Sequence, residues 1–184
     1  NQVYVILGWP IWQWQNKKIS LWYAHGTVSW SLKLAERLTD LIFTSSLGGL
    51  RLASKKLKVI GQGINTDKFN FTTNQSRQAG LLINVGRISK VKKQLEMVES
   101  LAKLTHLNWQ LKIYGAPVTL ADQTYLAELV GLISQLGLKS QVILAGPVNH
   151  ETLPAHLRVA EVFVTMSQTG SLDKAVLEAM AAGL

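Results

Sequence analysis

Residues 161–184 read EVFVTMSQTGSLDKAVLEAMAAGL, and this stretch indicates which class of fold the chain adopts. Val162–Met166 is a short apolar run of the kind that forms buried strands. Ser167–Leu172 is rich in turn residues, and Asp173 is placed to cap a following helix. Apolar residues then recur at helical spacing and predict the buried face of that helix: Leu177, Met180, Ala181 and Leu184. The stretch is therefore predicted to form a strand, a polar loop and a helix.

A loop of this kind directs backbone N–H groups and the positive end of a helix dipole toward the space above the strand. An anion is the ligand that such a site favours. Glu178 lies early in the helix, where its carboxylate could also accept hydrogen bonds from sugar hydroxyls. The alternative interpretation is an ordinary βα loop, with Glu178 a solvated helix residue. Only the remainder of the chain distinguishes the two.

The same alternation of strand and helix extends back to residue 81. It predicts an α/β fold with a parallel sheet that is covered by helices on both faces. Ligands of such sheets bind beyond the carboxyl ends of the strands, where this chain carries Gly86-Arg87, Gly115, Gly146 and Ser167–Leu172. The predicted strands are Leu81–Val85, Trp109–Tyr114 and Val142–Ala145, and the predicted helices are Val91–Leu104, Ala121–Leu136 and Thr152–Ala160.

The part before residue 70 shows a similar but less regular alternation. Trp9–Gln15 is predicted to be an aromatic connection that contains a proline. Asn70–Gly80 is rich in Thr, Asn, Gln and Ser and is predicted to be a linker. The domain prediction is therefore 1–70, a linker at 71–80, and a second domain at 81–184. The predicted strands are Gln2–Leu7, Ile19–Ala24, Leu41–Thr44 and the end of Lys55–Ile60, and the predicted helices are Ser29–Leu38 and a short one from Ser45 or Ser46 to Leu52.

Composition limits the chemistry. The chain has no cysteine, which excludes disulfides and thiolate metal sites, and its four histidines lack metal-ligand spacing, so we expect no metal. His150 and His156 are predicted to be solvated or capping residues, and His106 a solvated loop residue. The net charge is +8, and the excess lies mainly before residue 76, where nine Lys and Arg face three acidic residues. This excess fits an anionic partner, namely a phosphorylated small molecule, an anionic lipid surface or nucleic acid, or else a basic face kept for solubility.

The segment at 86–93, GRISKVKK, follows the first strand of the second part. Glycine allows the backbone to turn close to a ligand, Arg87 offers a planar fork for phosphate oxygens, and Lys92 adds a point charge. The segment contains neither the Walker pattern nor the G-x-G-x-x-G dinucleotide fingerprint. A clamp for a diphosphate and a plain basic loop both stay open on this segment alone. We expect Arg87 and Lys92 to face the loop that precedes the last helix across one cleft.

Taken together, these motifs resemble the donor domain of GT-B glycosyltransferases of the family-4 type. The resemblance is carried in order by VGRISKVKK (85–93), LKIYG (111–115), VILAGPV (142–148), AEVFVTMS (160–167) and VLEAMAAG (176–183). The first part resembles the end of that family's acceptor domain and the crossover into the donor domain, through YAHG (23–26), LTDLIFTSS (38–46) and VIGQGINTDKF (59–69).

The resemblance implies two Rossmann-like, doubly wound parallel-sheet domains, both incomplete in this chain. It also implies a glycosyltransferase that uses a nucleotide-diphosphate-sugar as co-substrate, without a metal, and retains the anomeric configuration. Arg87 and Lys92 would bind the diphosphate and help it depart, Glu178 would hold the ribose, and His25 would face the transferred sugar. The substrate-binding set implied in the donor domain is Arg87, Lys92, Gly115, Ser171, Leu172, Asp173, Lys174 and Glu178.

The chain departs from the family pattern at one important position. The first carboxylate of the family's E-x7-E motif is replaced by Gly170. We hypothesise that Asp173 partly replaces it, either as an acceptor for sugar hydroxyls or as a helix cap. A degenerate module that binds a nucleotide-sugar without transferring it is the alternative function. We also expect the chain to be a piece of a longer protein that is inactive by itself.

Five of the six tryptophans lie in the first thirty residues. Tryptophan beside lysine suits a membrane interface, and the alternative is an aromatic cluster in the core or between domains. No apolar stretch approaches the roughly 20 residues of a membrane span, and no base-reading motif occurs, so we predict no nucleic-acid partner. The predicted partners are a nucleotide-sugar donor, a glycan or lipid-linked acceptor and an anionic membrane surface in peripheral contact. The predicted location is the cytoplasm, including the inner face of the membrane.

Overall fold

The computed structural model describes residues 1–72, 76–167 and 172–184. The chain divides into two compact units, the first built mainly from Asn1–Gly63 and the second mainly from Ile64–Gln168 and Asp173–Leu184. The limits and roles predicted for the acceptor domain, the linker and the donor domain stay predictions.

The first unit is a parallel three-stranded sheet in the order β1 (Ser20–Trp22), β2 (Leu41–Thr44), β3 (Leu57–Val59), with helices packed on it. Ser29 caps the second helix, since its hydroxyl accepts a hydrogen bond from the N–H of Leu32 at 3.2 Å. The core contains Leu21, Leu32 and Ile42. The elements are α1 (Gln2–Trp14), β1 (Ser20–Trp22), α2 (Trp30–Leu38), β2 (Leu41–Thr44), a 3-10 turn (Leu47–Gly49) and β3 (Leu57–Val59).

The predicted strand at Gln2–Leu7 is wrong, because these residues and the predicted connection Trp9–Gln15 mostly form helix α1. The Asn1 side chain caps this helix by accepting a hydrogen bond from the N–H of Val3 at 3.1 Å. A short apolar run does not distinguish a buried strand from a buried helix. The helical face that packs on the core is Val5, Ile6, Trp9 and Trp12. The short helix predicted from Ser45 or Ser46 to Leu52 also shrinks, to the 3-10 turn.

The second unit is a parallel four-stranded sheet in the order β6 (Val142–Gly146), β5 (Gln110–Tyr114), β4 (Leu81–Val85), β7 (Val162–Phe163). This sheet confirms the predicted α/β architecture. Its strands are β4 (Leu81–Val85), β5 (Gln110–Tyr114), β6 (Val142–Gly146) and the short β7 (Val162–Phe163), and its helices are α3 (Gln94–Ala102), α4 (Leu120–Gln135), α5 (Leu153–Val159) and α6 (Lys174–Ala181).

Alternate residues of β4 enter two different cores, one on each face of this sheet. Leu82 packs with residues of α3 and α4, whereas Leu81 and Ile83 pack with residues of α5 and α6. Successive side chains of a strand point to opposite faces. The sheet is therefore covered on both sides, as the continuous apolar runs of its strands predict.

The predicted apolar face of α6 is partly wrong. Met180 is 62% exposed, and the residues that are buried are Glu178, Ala179 and Ala182. The two alanines share a core cluster with Leu81 and Ile83, where their small side chains suit close approach of the helix to the sheet. The helical spacing predicted a buried face with larger apolar residues, whereas Ala179 and Ala182 are the alanines that are buried against the sheet.

Candidate functional site

The carboxyl ends of β4, β5 and β6 are joined by backbone hydrogen bonds. The N–H of Gly86 donates to the carbonyl of Tyr114 at 2.9 Å, and the N–H of Gly115 donates to the carbonyl of Gly146 at 2.8 Å. A Cβ atom on Gly115 would lie 1.9 Å from the carbonyl oxygen of Gly86. Only glycine therefore permits this close approach, which brings the loops after the strands into one rim.

The basic loop after β4 is shaped by Gln94, a residue that sequence reasoning missed. Gln94 is fully buried, its Nε2 donates to the carbonyl of Arg87 at 3.0 Å, and its Oε1 accepts from the N–H of Ser89 at 3.4 Å. Lys93, in the left-handed region with φ +55°, turns the chain into α3. The loop is thus held from beneath, while Arg87 and Lys90 remain exposed.

Arg87 is held at the sheet edge by Asp122. Its Nε lies 3.9 Å from Oδ2 of Asp122, and the Arg87 side chain is about half exposed. Asp122 belongs to a capping box at the start of α4, where it accepts from the N–H groups of Val118 and Thr119 at 3.2 and 3.0 Å. Burial raises the pKa of Asp122, but hydrogen bonds from Thr119 and Val118 and the charge of Arg87 together lower that pKa below its usual value. The carboxylate therefore stays ionised close to the Arg87 guanidinium.

Lys92 connects the basic loop to the start of α6. Its side chain lies over Gly86, since a Cβ there would be 3.4 Å from Cε of Lys92. The Lys92 ammonium forms an ion pair with Asp173, and both side chains are mostly buried. Asp173 also caps α6 by accepting from the N–H of Ala175 at 3.2 Å. The structure thus brings the cation of the loop to the amino end of the last helix.

Glu178 is a buried carboxylate on α6, with only 4% of its side chain exposed. Its Oε1 lies 2.8 Å from Nε2 of His150 and 3.4 Å from Nζ of Lys174. Lys174 sits one helical turn before Glu178 and is half exposed. The interpretation of Glu178 as a solvated helix residue is therefore wrong.

His150 follows β6 and was predicted to be a solvated or capping residue. Its side chain is about half exposed, and it also contacts three side chains: Nε2 meets Glu178, Nδ1 lies 3.4 Å from Nζ of Lys68, and the ring packs on Phe69 with centroids 5.1 Å apart. Lys68 also pairs with Glu151, whose pKa it lowers through their hydrogen bond and its charge. The sequence signal that could have found His150 is its place beyond the carboxyl end of a strand.

The remaining predicted site residues are placed as follows. Ser171 and Gly170 lie outside the described residues, and Leu172 is exposed. His25 belongs to the first unit, where it follows β1, forms a bridge with Leu50 and packs edge-on against Tyr23 at 5.7 Å. It lines a cavity of about 330 Å³ with Trp22, Tyr23 and the first two residues of the chain.

Two further features concern what the site could hold. A cavity of about 450 Å³ lies at the opposite, amino-terminal edge of the second sheet, and its walls are mainly apolar, including Leu82, Leu104 and Trp109. The cations Arg87 and Lys92 and the amino end of α6 lie at the carboxyl edge of the sheet and do not line this cavity. Within the described ranges, no group of three or more His, Cys, Asp or Glu is arranged to hold a metal ion.

The family model described as "Glycosyl transferases group 1" matches residues 65–184. No curated protein sequence matches the chain. Among solved structures, Anabaena HepE in complex with UDP has a TM-score of 0.82 at 16% identity, over 100% of this chain and 56% of that one. Sucrose-phosphate synthase from Thermosynechococcus elongatus has a TM-score of 0.75 at 19% identity, over 98% of this chain and 53% of that one.

The pneumococcal O-GlcNAc transferase GtfA, in complex with UDP and GlcNAc, has a TM-score of 0.73 at 16% identity, over 100% of this chain and 38% of that one. These likenesses show the fold and confirm the predicted GT-B class. The chain spans about half the length, 56% and 55%, of the first solved structures it matches.

Proposed function

The chain belongs to the glycosyl transferases group 1 family, and we propose that the full-length protein transfers a sugar from a nucleotide-sugar donor to an acceptor hydroxyl. One observation carries the proposal. Arg87, Lys92, the Asp173-capped start of α6 and the buried Glu178 all belong to the carboxyl edge of one parallel sheet. A nucleoside diphosphate needs cations and backbone donors for its phosphates and a carboxylate for its ribose, and this edge supplies all three.

The donor diphosphate would bind between Arg87, Lys92 and the first N–H groups of α6. Arg87 lies 3.9 Å from Asp122 and is about half exposed, so its planar guanidinium is accessible to phosphate oxygens. Lys92 is paired with Asp173, and an incoming phosphate would share or take over that ammonium. Because Asp173 also caps α6, its replacement of the missing carboxylate at Gly170 stays a hypothesis, with the helix cap as the role that its geometry supports.

The transfer step breaks the bond between the anomeric carbon and the diphosphate oxygen, and the acceptor oxygen forms the new bond to that carbon. The bonding pair leaves on the diphosphate, and the acceptor proton leaves with it or passes to water. Arg87 and Lys92 would stabilise the charge that develops on the departing diphosphate, which is electrostatic catalysis. Retention of configuration, the absence of a metal and the contact of His25 with the sugar are proposed from the family resemblance.

A nucleotide-sugar-binding module without transfer is the second candidate. It is favoured by Gly170, which stands where the family has a carboxylate. Turnover separates this candidate from the enzyme, because both predict binding.

The test is a panel of UDP-, GDP- and ADP-linked sugars with the full-length protein, followed by binding and by release of nucleoside diphosphate. Lys92→Ala and Glu178→Gln should both weaken binding of the accepted donor, and Lys92→Ala should also slow release. Lys90→Ala is the matched control, because Lys90 lies in the same loop but is exposed to solvent. Binding without release in any acceptor extract would favour the module, and no binding to any donor would reject both candidates. The anomeric configuration of a product, read by NMR, tests retention.

We further propose a glycan or lipid-linked acceptor and peripheral contact with an anionic membrane on the cytoplasmic side. Helix α1 carries no charged residue, and one of its faces is an exposed apolar stripe formed by Tyr4, Leu7, Ile11 and Trp14. Lys17 and Lys18 follow directly, so an apolar face and cations lie together as they do in interfacial helices. Within residues 1–72, 76–167 and 172–184, no helix is long and apolar enough to cross a membrane.

A further inference from the structure

The hydrogen bond between His150 and Glu178 joins two distant segments, the residues after β6 and helix α6. An ionised carboxylate only accepts hydrogen bonds, so Nε2 of His150 must carry the proton that it donates. The ammonium of Lys68 has only donors, so the contact of Lys68 with Nδ1 requires a lone pair on that nitrogen. A proton on Nε2 and a lone pair on Nδ1 would satisfy both contacts.

The His150 side chain is about half exposed, and one face of its imidazole is packed. Phe69 is fully buried in the core of the second unit, and its ring lies against His150. Lys68 is held in turn by Glu151, so the histidine is in contact on its ring face and at both of its nitrogens. A side chain held at three points keeps one orientation and transmits it to its partner.

The contacts that His150 and Lys174 make with Glu178 leave its carboxylate able to bind a ligand. Both His150 and Lys174 contact the same oxygen, Oε1. A carboxylate has about four lone-pair sites over its two oxygens, so Glu178 keeps capacity to accept two further hydroxyl donors. Vicinal ribose hydroxyls are donors of that kind.

We propose that His150, held by Lys68 and Phe69, is a positioning residue that fixes the Glu178 carboxylate for the ribose hydroxyls of the donor nucleotide. The inference rests on the proposed function, because it requires that the carboxyl edge binds a nucleotide. Its chemical content is selectivity for a ribonucleotide over a nucleotide that lacks the two hydroxyls.

The test measures binding of UDP, GDP and ADP, and of their 2′,3′-dideoxy counterparts, to the full-length protein by calorimetry. The wild type should prefer the ribonucleotide. His150→Ala should weaken binding of the ribonucleotide by about 3- to 10-fold, the worth of one hydrogen bond, and leave binding of the dideoxynucleotide unchanged. His150→Gln, whose amide nitrogen can replace Nε2, should restore most of the preference. His106→Ala, an exposed histidine of the same unit, is the control and should change neither affinity.

A double-mutant cycle provides the second measurement. If His150 acts through Glu178, His150→Ala should have no further effect in a Glu178→Gln background. An equal loss for ribonucleotide and dideoxynucleotide, an unchanged affinity in His150→Ala, or a wild type without preference for the ribonucleotide would each overturn the inference. Failure of the wild type to bind any of the nucleotides would instead reject the proposed function itself.

Discussion

Replacement of Gly115 by alanine should lower the stability of the second unit and weaken the proposed binding of a nucleotide. The Cβ of Gly115→Ala would lie 1.9 Å from the carbonyl oxygen of Gly86, whereas real Cβ atoms essentially never approach closer than 3.0 Å. The obstacle is backbone and not a flexible side chain, so the loop that carries Arg87 must shift by about 1 Å. Gly115 also has φ +154°, which an alanine rarely adopts.

The steric overlap and the unfavourable backbone conformation each add a cost in free energy. Overpacking against a fixed neighbour costs about 1–3 kcal/mol, and an unfavourable backbone region costs about 1–3 kcal/mol. We therefore expect Gly115→Ala to lower the free energy of unfolding by about 2–6 kcal/mol, and the unfolding midpoint by roughly 10 °C or more. Because the shift displaces Arg87, the variant should also bind the nucleotide more weakly.

Gly146→Ala separates steric overlap from backbone strain. Gly146 has φ +75°, but nothing lies within 4 Å of an added Cβ, so the cost should be only the strain of about 1–2 kcal/mol. The measurements are thermal unfolding and nucleotide binding of the full-length variants. If Gly115→Ala is no more destabilising than Gly146→Ala, or binds nucleotide as the wild type does, the argument from close approach is refuted.

Three further predictions test other parts of the structure. Gly131 lies on an exposed turn of α4, with open space around an added Cβ. Gly131→Ala should raise the free energy of unfolding by about 0.5–1 kcal/mol, because alanine has the higher helix propensity. An unchanged or lower free energy from thermal unfolding would contradict this. The pKa of Asp122 is lowered in the folded state, so its ionised carboxylate stabilises the fold fully above the pKa of the unfolded state, and this stabilisation is lost as the pH falls through the pKa of the folded state. In Asp122→Asn the free energy of unfolding should therefore fall less steeply below about pH 4 than in the wild type. A pH profile parallel to that of the wild type would count against this prediction. The full-length protein should sediment with vesicles that contain anionic lipid and less with neutral ones. Leu7→Asp should reduce that binding more than Lys55→Ala, a change of an exposed lysine outside the sequence of α1. Equal binding to both vesicle types would argue against the membrane contact.

The strands of the second unit were predictable because each is a short apolar run that ends in a glycine or a polar loop. The helix α4 was predictable as well, because Thr119 and Asp122 form a capping box at its start. Helix α1 was not predictable by the same reasoning. Its apolar residues suit a strand and a helix equally, and only its packing on the first core shows which of them forms.

In the candidate site, too, some residues could be predicted from local sequence patterns and others could not. Arg87, Lys92 and Glu178 were predictable because they lie in recognisable local patterns. Their partners Asp122, His150 and Asp173 are 28 or more residues away in the chain, and no local pattern relates them. The pairing of Lys92 with Asp173 was expected only as two loops that face one cleft, and the structure resolves that expectation into an ion pair.

Local chemistry, which the sequence contains in full, therefore determined the alternation of elements, the parallel sheet, the family resemblance and the cations at the strand ends. Tertiary structure alone decided which face of α6 is buried, which residues orient the cations, and that the Glu178 carboxylate is held by His150. The physical reason is that periodicity and capping act between residues a few positions apart. Burial of a carboxylate and the choice of its partner depend instead on which distant segments the sheet brings together.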